Sequence, residues 1–295
     1  MKRALPRLPN RRAAQRGVAL LVVLWACTLL AILLGGYAAM ARTEGLQARY
    51  QFEQVRAHYA AEAGVMRAVY ALQAPDQASR WIADGRPYPF RFDGVAVSVS
   101  AIDEGGKVDL NTATPDVLAG LFRAAGENAD WAAALAQAVV AWRSYAVSPE
   151  QKSQRAAPYA AAGRSYGPRN GPFASVQELQ MVLGMTPALY AKVAPYVTIW
   201  SGRASPDPST APLLALAALP GMTMARANAA VAGRVAADPR APGLARGGGV
   251  THSIRSVATL ADGTRAVLRA TVRSQGGRPG SQGFAVLRWQ EGEGE

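Results

Sequence analysis

One peptide bond stands out for the chemistry its surroundings invite: Gly17 to Val18, in the stretch "RGVALLVVL" from Arg16 to Leu24, where basic residues and a small glycine run straight into apolar chain. Such a bond has three uses. It can lie within an export signal that is discarded whole, within a membrane anchor, or at a point where a peptidase removes the basic leader and leaves the apolar part in place. Elsewhere the means for chemistry are sparse. His58 and His252 are the only histidines and Cys27 the only cysteine, and no clustered cysteines or carboxylates accompany either histidine to make a zinc ligand or a general base. GxSxG, HExxH and P-loop patterns do not occur. Residue types and spacings therefore argue against an enzyme.

The elements that must position the Gly17–Val18 bond are legible around it. Val18 to Ala41 holds 24 residues without a charge, which as a helix span about 36 Å and cross a bilayer core of about 30 Å. Six basic residues precede it (Lys2, Arg3, Arg7, Arg11, Arg12 and Arg16) with no acid among them, so the positive-inside rule places residues 1–17 in the cytoplasm and everything after Arg42 outside it. A secretory signal cut after "AAMA" at Ala41 is the competing reading, but this apolar run exceeds such a signal's usual core of about 7 to 15 residues. The adjoining segment also counts against it. From Arg42 to Gln73 there is no proline, and Leu46, Tyr50, Ala57, Ala61, Gly64, Ala68 and Leu72 recur at mostly helical spacings. One helix is predicted to run from membrane into solvent and end near Pro75.

The whole chain carries 32 basic and 20 acidic residues. Taking away the six of the leader leaves 26 against 20, so the high charge is partly a leader effect and weak evidence for nucleic acid. Half the residues are apolar, enough for a real core. Cys27 lies in the apolar run, so the body after it forms no internal disulfide and is held by packing.

Gly94 to Ile102 alternates as a strand does, "DEGGK" (Asp103 to Lys107) reads as a glycine turn, and "VDL" is short and extended. Near the end, His252 to Leu260, Thr264 to Ser274 and Phe284 to Gln290 read as three strands, joined by the turn "ADG" and by a Gly/Ser-rich loop from Gln275 to Gly283. Between these β regions the sequence is alanine-rich and helical. "TATPDVLAGL" (Thr112 to Leu121) and "TAPLLALAAL" (Thr210 to Leu219) are related helix starts, each with an early proline. Ser175 to Val197 reads as two short helices joined by Gly-Met-Thr, with Ser175 and Glu178 as a capping box, and Leu219 to Val235 repeats the joint. Both hairpins resemble helix-hairpin-helix units, which keeps a membrane-tethered DNA-binding protein as the alternative reading. Its basic residues would be Lys192, Arg226 and Arg234, with no aromatic platform for single strands.

A glycine followed by a long helix, apolar first and amphipathic second, resembles the N-terminus of type IV pilins and pseudopilins. The fuller pattern resembles the K-type minor pseudopilin of the bacterial type II secretion system: the long helix through "YAAEAGVMRAVYAL", the "KVDLNTA" junction, "FASVQELQMVLGMTPALYAKVAPYVT" and the final "FAVLRWQ". The expected fold is α+β, a pilin-like long N-terminal helix with an antiparallel sheet and a large inserted all-α domain. The expected divisions are a leader at 1–17, a transmembrane half-helix at 18–41, an amphipathic helix with first strands at 42–110, an α-domain at 111–248 and closing strands at 249–295.

The resemblance implies cleavage between Gly17 and Val18 by a prepilin peptidase, N-methylation of Val18, and a single-pass inner-membrane protein with a periplasmic body. It implies a non-enzymatic role at the pseudopilus tip, with minor pseudopilins H, I and J, the major pseudopilin and secreted substrates as partners, and no nucleic acid. Most relatives of this kind have glutamate at the fifth residue after the cut; here that residue is Val22. Calcium is the one cofactor such a resemblance admits. The candidate loops offer only Asp103 and Glu104, Glu150 and Asp207 as acids, so no ligands are assigned.

Overall fold

Fifty-eight consecutive residues without a proline, Gln15–Leu72, form one helix, α1. A computed structural model describes residues 15–76, 79–236, 250–275 and 283–292. The leader before Gln15, most of the Gly/Ser-rich loop expected between the last two strands, and the end of the 111–248 division lie outside the described residues.

The chain divides into two compact units, residues 1–56 and 57–295. In the first, α1 exposes apolar side chains on every side, among them Leu20, Leu24, Trp25, Ile32 and Leu33. A helix apolar all round belongs in lipid or among other helices. From Val18 the helix is long and apolar enough to cross a membrane. Its hydroxyl at Thr28 donates to the Trp25 carbonyl at 2.8 Å, so that polar group is satisfied without water.

The second unit holds two hydrophobic cores. In one, the end of α1 lays Ala57, Ala60, Ala61, Gly64, Val65 and Ala68 on a five-stranded sheet. That sheet comprises β1 (Asp84–Phe92), β2 (Val95–Asp103), β5 (Thr251–Thr259), β6 (Arg265–Ser274) and β7 (Phe284–Glu291), antiparallel throughout in the order β1-β2-β5-β6-β7. Val95, Val97, Val99 and Ala101 alternate inward along β2 against Ile254 and Ala258 of β5. Gly64 marks a close approach. A Cβ there would overlap Ser256 Oγ and stand 2.9 Å from a Val99 methyl. Strand β1 is a finding beyond the sequence-based expectation. It joins β2 through Asp93 and Gly94, both with positive φ (47° and 76°), as the tight hairpin turn that suits an Asp-Gly pair requires.

Between β2 and β5 the chain builds the second core. Its elements are β3 (Val108–Asp109), α2 (Pro115–Ala124), α3 (Ala129–Arg143), α4 (Pro149–Ala161), α5 (Pro187–Val193), β4 (Val197–Thr198), α6 (Leu213–Ala217) and α7 (Met224–Ala236). Thr114, Asn128, Ser148 and Thr186 each accept an N–H at a helix start. Leu118, Leu121, Phe122, Trp142, Tyr159, Phe173 and Leu179 fill this core. The short β3 and β4 pair in parallel, Val108 with Val197 and Asp109 with Thr198, so the helices between them are clipped at their base. α2 also touches the end of α6 closely, since a Cβ on Gly120 would overlap the Ala218 carbonyl.

Two helix starts differ from expectation. Pro115 stands in the first turn of α2, but Pro212 is the residue that precedes α6, with no side-chain cap there. Val176–Met181 is a 3-10 helix, and the Ser175 side chain caps nothing. Glu178 instead accepts from the Ala174 N–H at 3.2 Å and from Arg169 at 2.9 Å, so its carboxylate is drawn one residue further back than a capping box needs.

Candidate functional site

Gly17, Val18 and Val22 all lie in the first part of α1. Val18 and Val22 are exposed, at 64% and 63%. Residues three or four apart on a helix lie on one face, so Val18, Val22 and Trp25 form one side of the anchor, with no charge between Val18 and Ala41.

The two Gly-Met-Thr joints are built alike and used alike. Gly184 and Gly221 both have positive φ (91° and 74°), which glycine adopts freely. Thr186 accepts the Leu189 N–H at 3.1 Å, and Thr223 the Arg226 N–H at 3.2 Å. The three basic residues that the DNA reading requires are engaged within the chain. Lys192 donates to the Ala125 carbonyl, Arg226 to Gly221, and Arg234 to Ser209 and Ala211. Burial pushes the Arg234 guanidinium below its ordinary value, against the pull of Asp84 and Asp207.

Where the sheet meets the insert, the "DEGGK" turn becomes a 3-10 turn carrying a buried polar cluster, where the sequence suggests only a glycine turn. Glu104 is 2% exposed. One of its oxygens accepts from Lys107 Nζ and from Ser253 Oγ of β5, both at 2.6 Å; the other accepts from Thr198 Oγ1 of β4. One carboxylate thus bonds both the sheet and the insert. Asp109 is equally buried and accepts from the N–H groups of Asn111 and Gly202 and from Ser201 Oγ. Beside it, Arg143 donates to the Leu110 and Ala113 carbonyls. Burial lowers the Arg143 guanidinium's affinity for its proton, and Asp109 opposes that shift. His252 pairs with Asp103 across the β2–β5 ladder; burial holds its pKa below the ordinary value against the opposing charges of Asp103 and Glu104. The signal for this cluster in the sequence is an acidic pair running directly into Gly-Gly at the end of an alternating strand, a place where a solvated turn has no need of two glycines.

Calcium takes roughly six to eight oxygen ligands, and three of the acids near these loops are engaged within the chain. Glu104 and Asp109 already accept hydrogen bonds on both oxygens, and Asp207 accepts the Ser209 N–H and Oγ at 3.0 and 2.7 Å. Among the described residues no three of His, Cys, Asp and Glu come together as an ion would need.

A helix-anchored, pilin-like sheet interrupted after its second strand by an α-domain is the class of protein that this fold defines. Residues 98–202, from within β2 to just past β4, match the family model of the type II secretion system protein K. A search of the curated proteins finds no match. Among solved structures, the GspK-GspI-GspJ complex from the type 2 secretion system of enterotoxigenic Escherichia coli contains a chain of similar fold, with a TM-score of 0.56 at 18% identity, covering 84% of this chain and 100% of that one. The K-type resemblance and the α+β fold class read from the sequence are borne out.

Proposed function

We propose that the chain is a non-enzymatic minor pseudopilin of a type II secretion system, made as a leader-bearing precursor and cut between Gly17 and Val18. The observation that carries the reading is a protein K domain set into a pilin-like sheet behind a membrane-length helix. The leader is cytoplasmic and the body periplasmic, in keeping with the basic residues before Val18. Partners are the I- and J-type minor pseudopilins, as in the complex of similar fold, together with the H-type and major pseudopilins and the prepilin peptidase.

Its place is the tip, where it starts assembly and limits growth. A new N-terminal ammonium on Val18 needs a carboxylate in lipid, since an unpaired charge there is costly. Val22 cannot supply that carboxylate to a subunit added behind it, so the chain is suited to stand ahead of the others. The insert adds bulk that hinders addition beyond it.

Recovery of the protein from membranes of cells with and without the peptidase tests the reading by mass and N-terminal sequence. A form beginning at methylated Val18 in the first strain alone is expected. A start at Arg42, or one uncut form in both strains, overturns it. Val22→Glu tests the tip position separately: pseudopilus initiation is expected to fall, and unchanged initiation removes the charge part of the reading.

A further inference from the structure

One dipeptide of the insert carries the means of its own alteration. Asn170 is followed by Gly171, the one Asn-Gly pair in the sequence. The amide nitrogen of the residue after an asparagine can attack the side-chain carbonyl, and glycine puts no side chain in the way of that attack. The pair lies in the loop between α4 and the 3-10 helix at Val176–Met181. Asn170 has a positive φ of 54°, a conformation that asparagine tolerates better than most residues.

The fold ties down each group that this reaction needs. Arg155 of α4 donates from Nη1 to Asn170 Oδ1 at 3.2 Å and to the Ser144 carbonyl at 2.7 Å. Asn170 Nδ2, the nitrogen that would leave, donates to the Pro168 carbonyl at 2.8 Å. Gly171, which bears the attacking nitrogen, is buried, and its N–H donates to the Trp142 carbonyl at 3.3 Å. Both ends of the side-chain amide are therefore held, and the nucleophile is shielded from the hydroxide that must take its proton.

We propose that Asn170 is a latent modification site, kept intact by its bonds to Arg155 and Pro168 and by the Gly171–Trp142 bond while the loop is closed, and converted by water to aspartate or isoaspartate when the loop opens. In the reaction the Gly171 nitrogen gives its proton to hydroxide and bonds to Asn170 Cγ. The Cγ–Nδ2 bond breaks, and the nitrogen leaves as ammonia with a proton from water. Water then opens the cyclic imide at either carbonyl. The product bears on the core because Phe173 follows closely: Asn111 accepts its N–H at 2.7 Å and donates to its carbonyl at 3.1 Å, and its ring stacks on Trp142. Isoaspartate routes the main chain through the side-chain carbon and lengthens it just before this clasp. The change is irreversible, so it marks the molecules whose insert has opened.

The test is mass spectrometry of proteolytic fragments after the full chain, in detergent micelles at mildly alkaline pH, has been incubated folded or unfolded in guanidinium. Conversion at Asn170 is expected to be at least about tenfold slower in the folded chain, the equivalent of about 1.4 kcal/mol of local opening. Arg155→Gln is expected to speed it several-fold in the folded chain, with hydrogen exchange in α2 and α3 little changed. Arg164→Gln, at an exposed position in the same stretch, is expected to leave the rate as it was. Gly171→Ala is expected to suppress conversion in both states, and the fold admits it, since the added Cβ would stand 3.7 Å from Tyr145 Cε1. Should Arg155→Gln fail to fold, the folded and unfolded rates of the unaltered chain still decide. Equal rates in those two states, a folded Arg155→Gln that converts no faster, a rise matched by equal quickening of exchange throughout α2 and α3, or undiminished conversion in Gly171→Ala overturns the proposal.

Discussion

The two cores of the second unit are packed on opposite principles. Against the sheet, α1 presents alanine and glycine, so helix and strands approach until Gly64 has no room for a Cβ. Inside the insert, the bulky side chains of Phe122, Leu118, Leu121, Trp142 and Leu179 fill the space between short helices. The first core depends on the absence of bulk and the second on its presence. Single changes should therefore harm them in opposite ways, by addition in one and by removal in the other.

The largest expected effect is in the insert. Phe122 is fully buried, and Phe122→Ala should cost about 4 kcal/mol through lost burial and a cavity. Hydrogen exchange should quicken in α2 and α3 more than in β2 and β5; uniform quickening would break the distinction between the cores. Next comes the seam. Glu104→Gln removes the charge that Lys107, Ser253 and Thr198 share, and denaturant unfolding should show a loss of about 3 kcal/mol, with exchange rising on both sides.

Gly64→Ala should cost about 2 kcal/mol by overpacking. Ser256 Oγ is buried without a hydrogen-bond partner among the described residues, so Ser256→Ala alone should be near neutral. Combined with Ser256→Gly, Gly64→Ala should recover part of its loss, since the Oγ clash is relieved and the Val99 and Val97 contacts remain. Full additivity of the two changes would refute the close-approach account.

The smallest effect is that of pH on the seam. Because burial depresses its pKa, folded His252 binds a proton less readily than the unfolded chain does. The stability this contributes is present above the ordinary value of 6.5 and is lost as pH falls below it toward the folded value. His252→Gln should flatten the dependence of the unfolding midpoint between about pH 7.5 and 5, on either side of the ordinary histidine range; an unaltered slope would show that other groups set it.

Much of this arrangement could be read from residue order alone. An unbroken apolar-to-amphipathic run foretold α1, and alternation foretold β2, β5, β6 and β7. β1 escaped because Pro87 and Pro89 interrupt a run of strand formers, although the Asp93-Gly94 pair carried the hairpin signal. Ser175 and Glu178 have the spacing of a capping box, yet Arg169, which lies outside that motif, helps draw the carboxylate elsewhere. The partners of Glu104 were illegible for another reason. Thr198 and Ser253 lie 94 and 149 residues away in the chain, and only the fold brings them to one carboxylate.

Among the described residues the sheet ends in β1 on one side and β7 on the other, and the two margins are not equivalent. Pro87 and Pro89 are two residues apart, so their missing N–H groups fall on the same side of β1, the side facing away from β2. A strand from another copy laid along that margin would find two gaps in its ladder. Strand-on-strand growth through β1 is thereby disfavoured on that flank of the sheet.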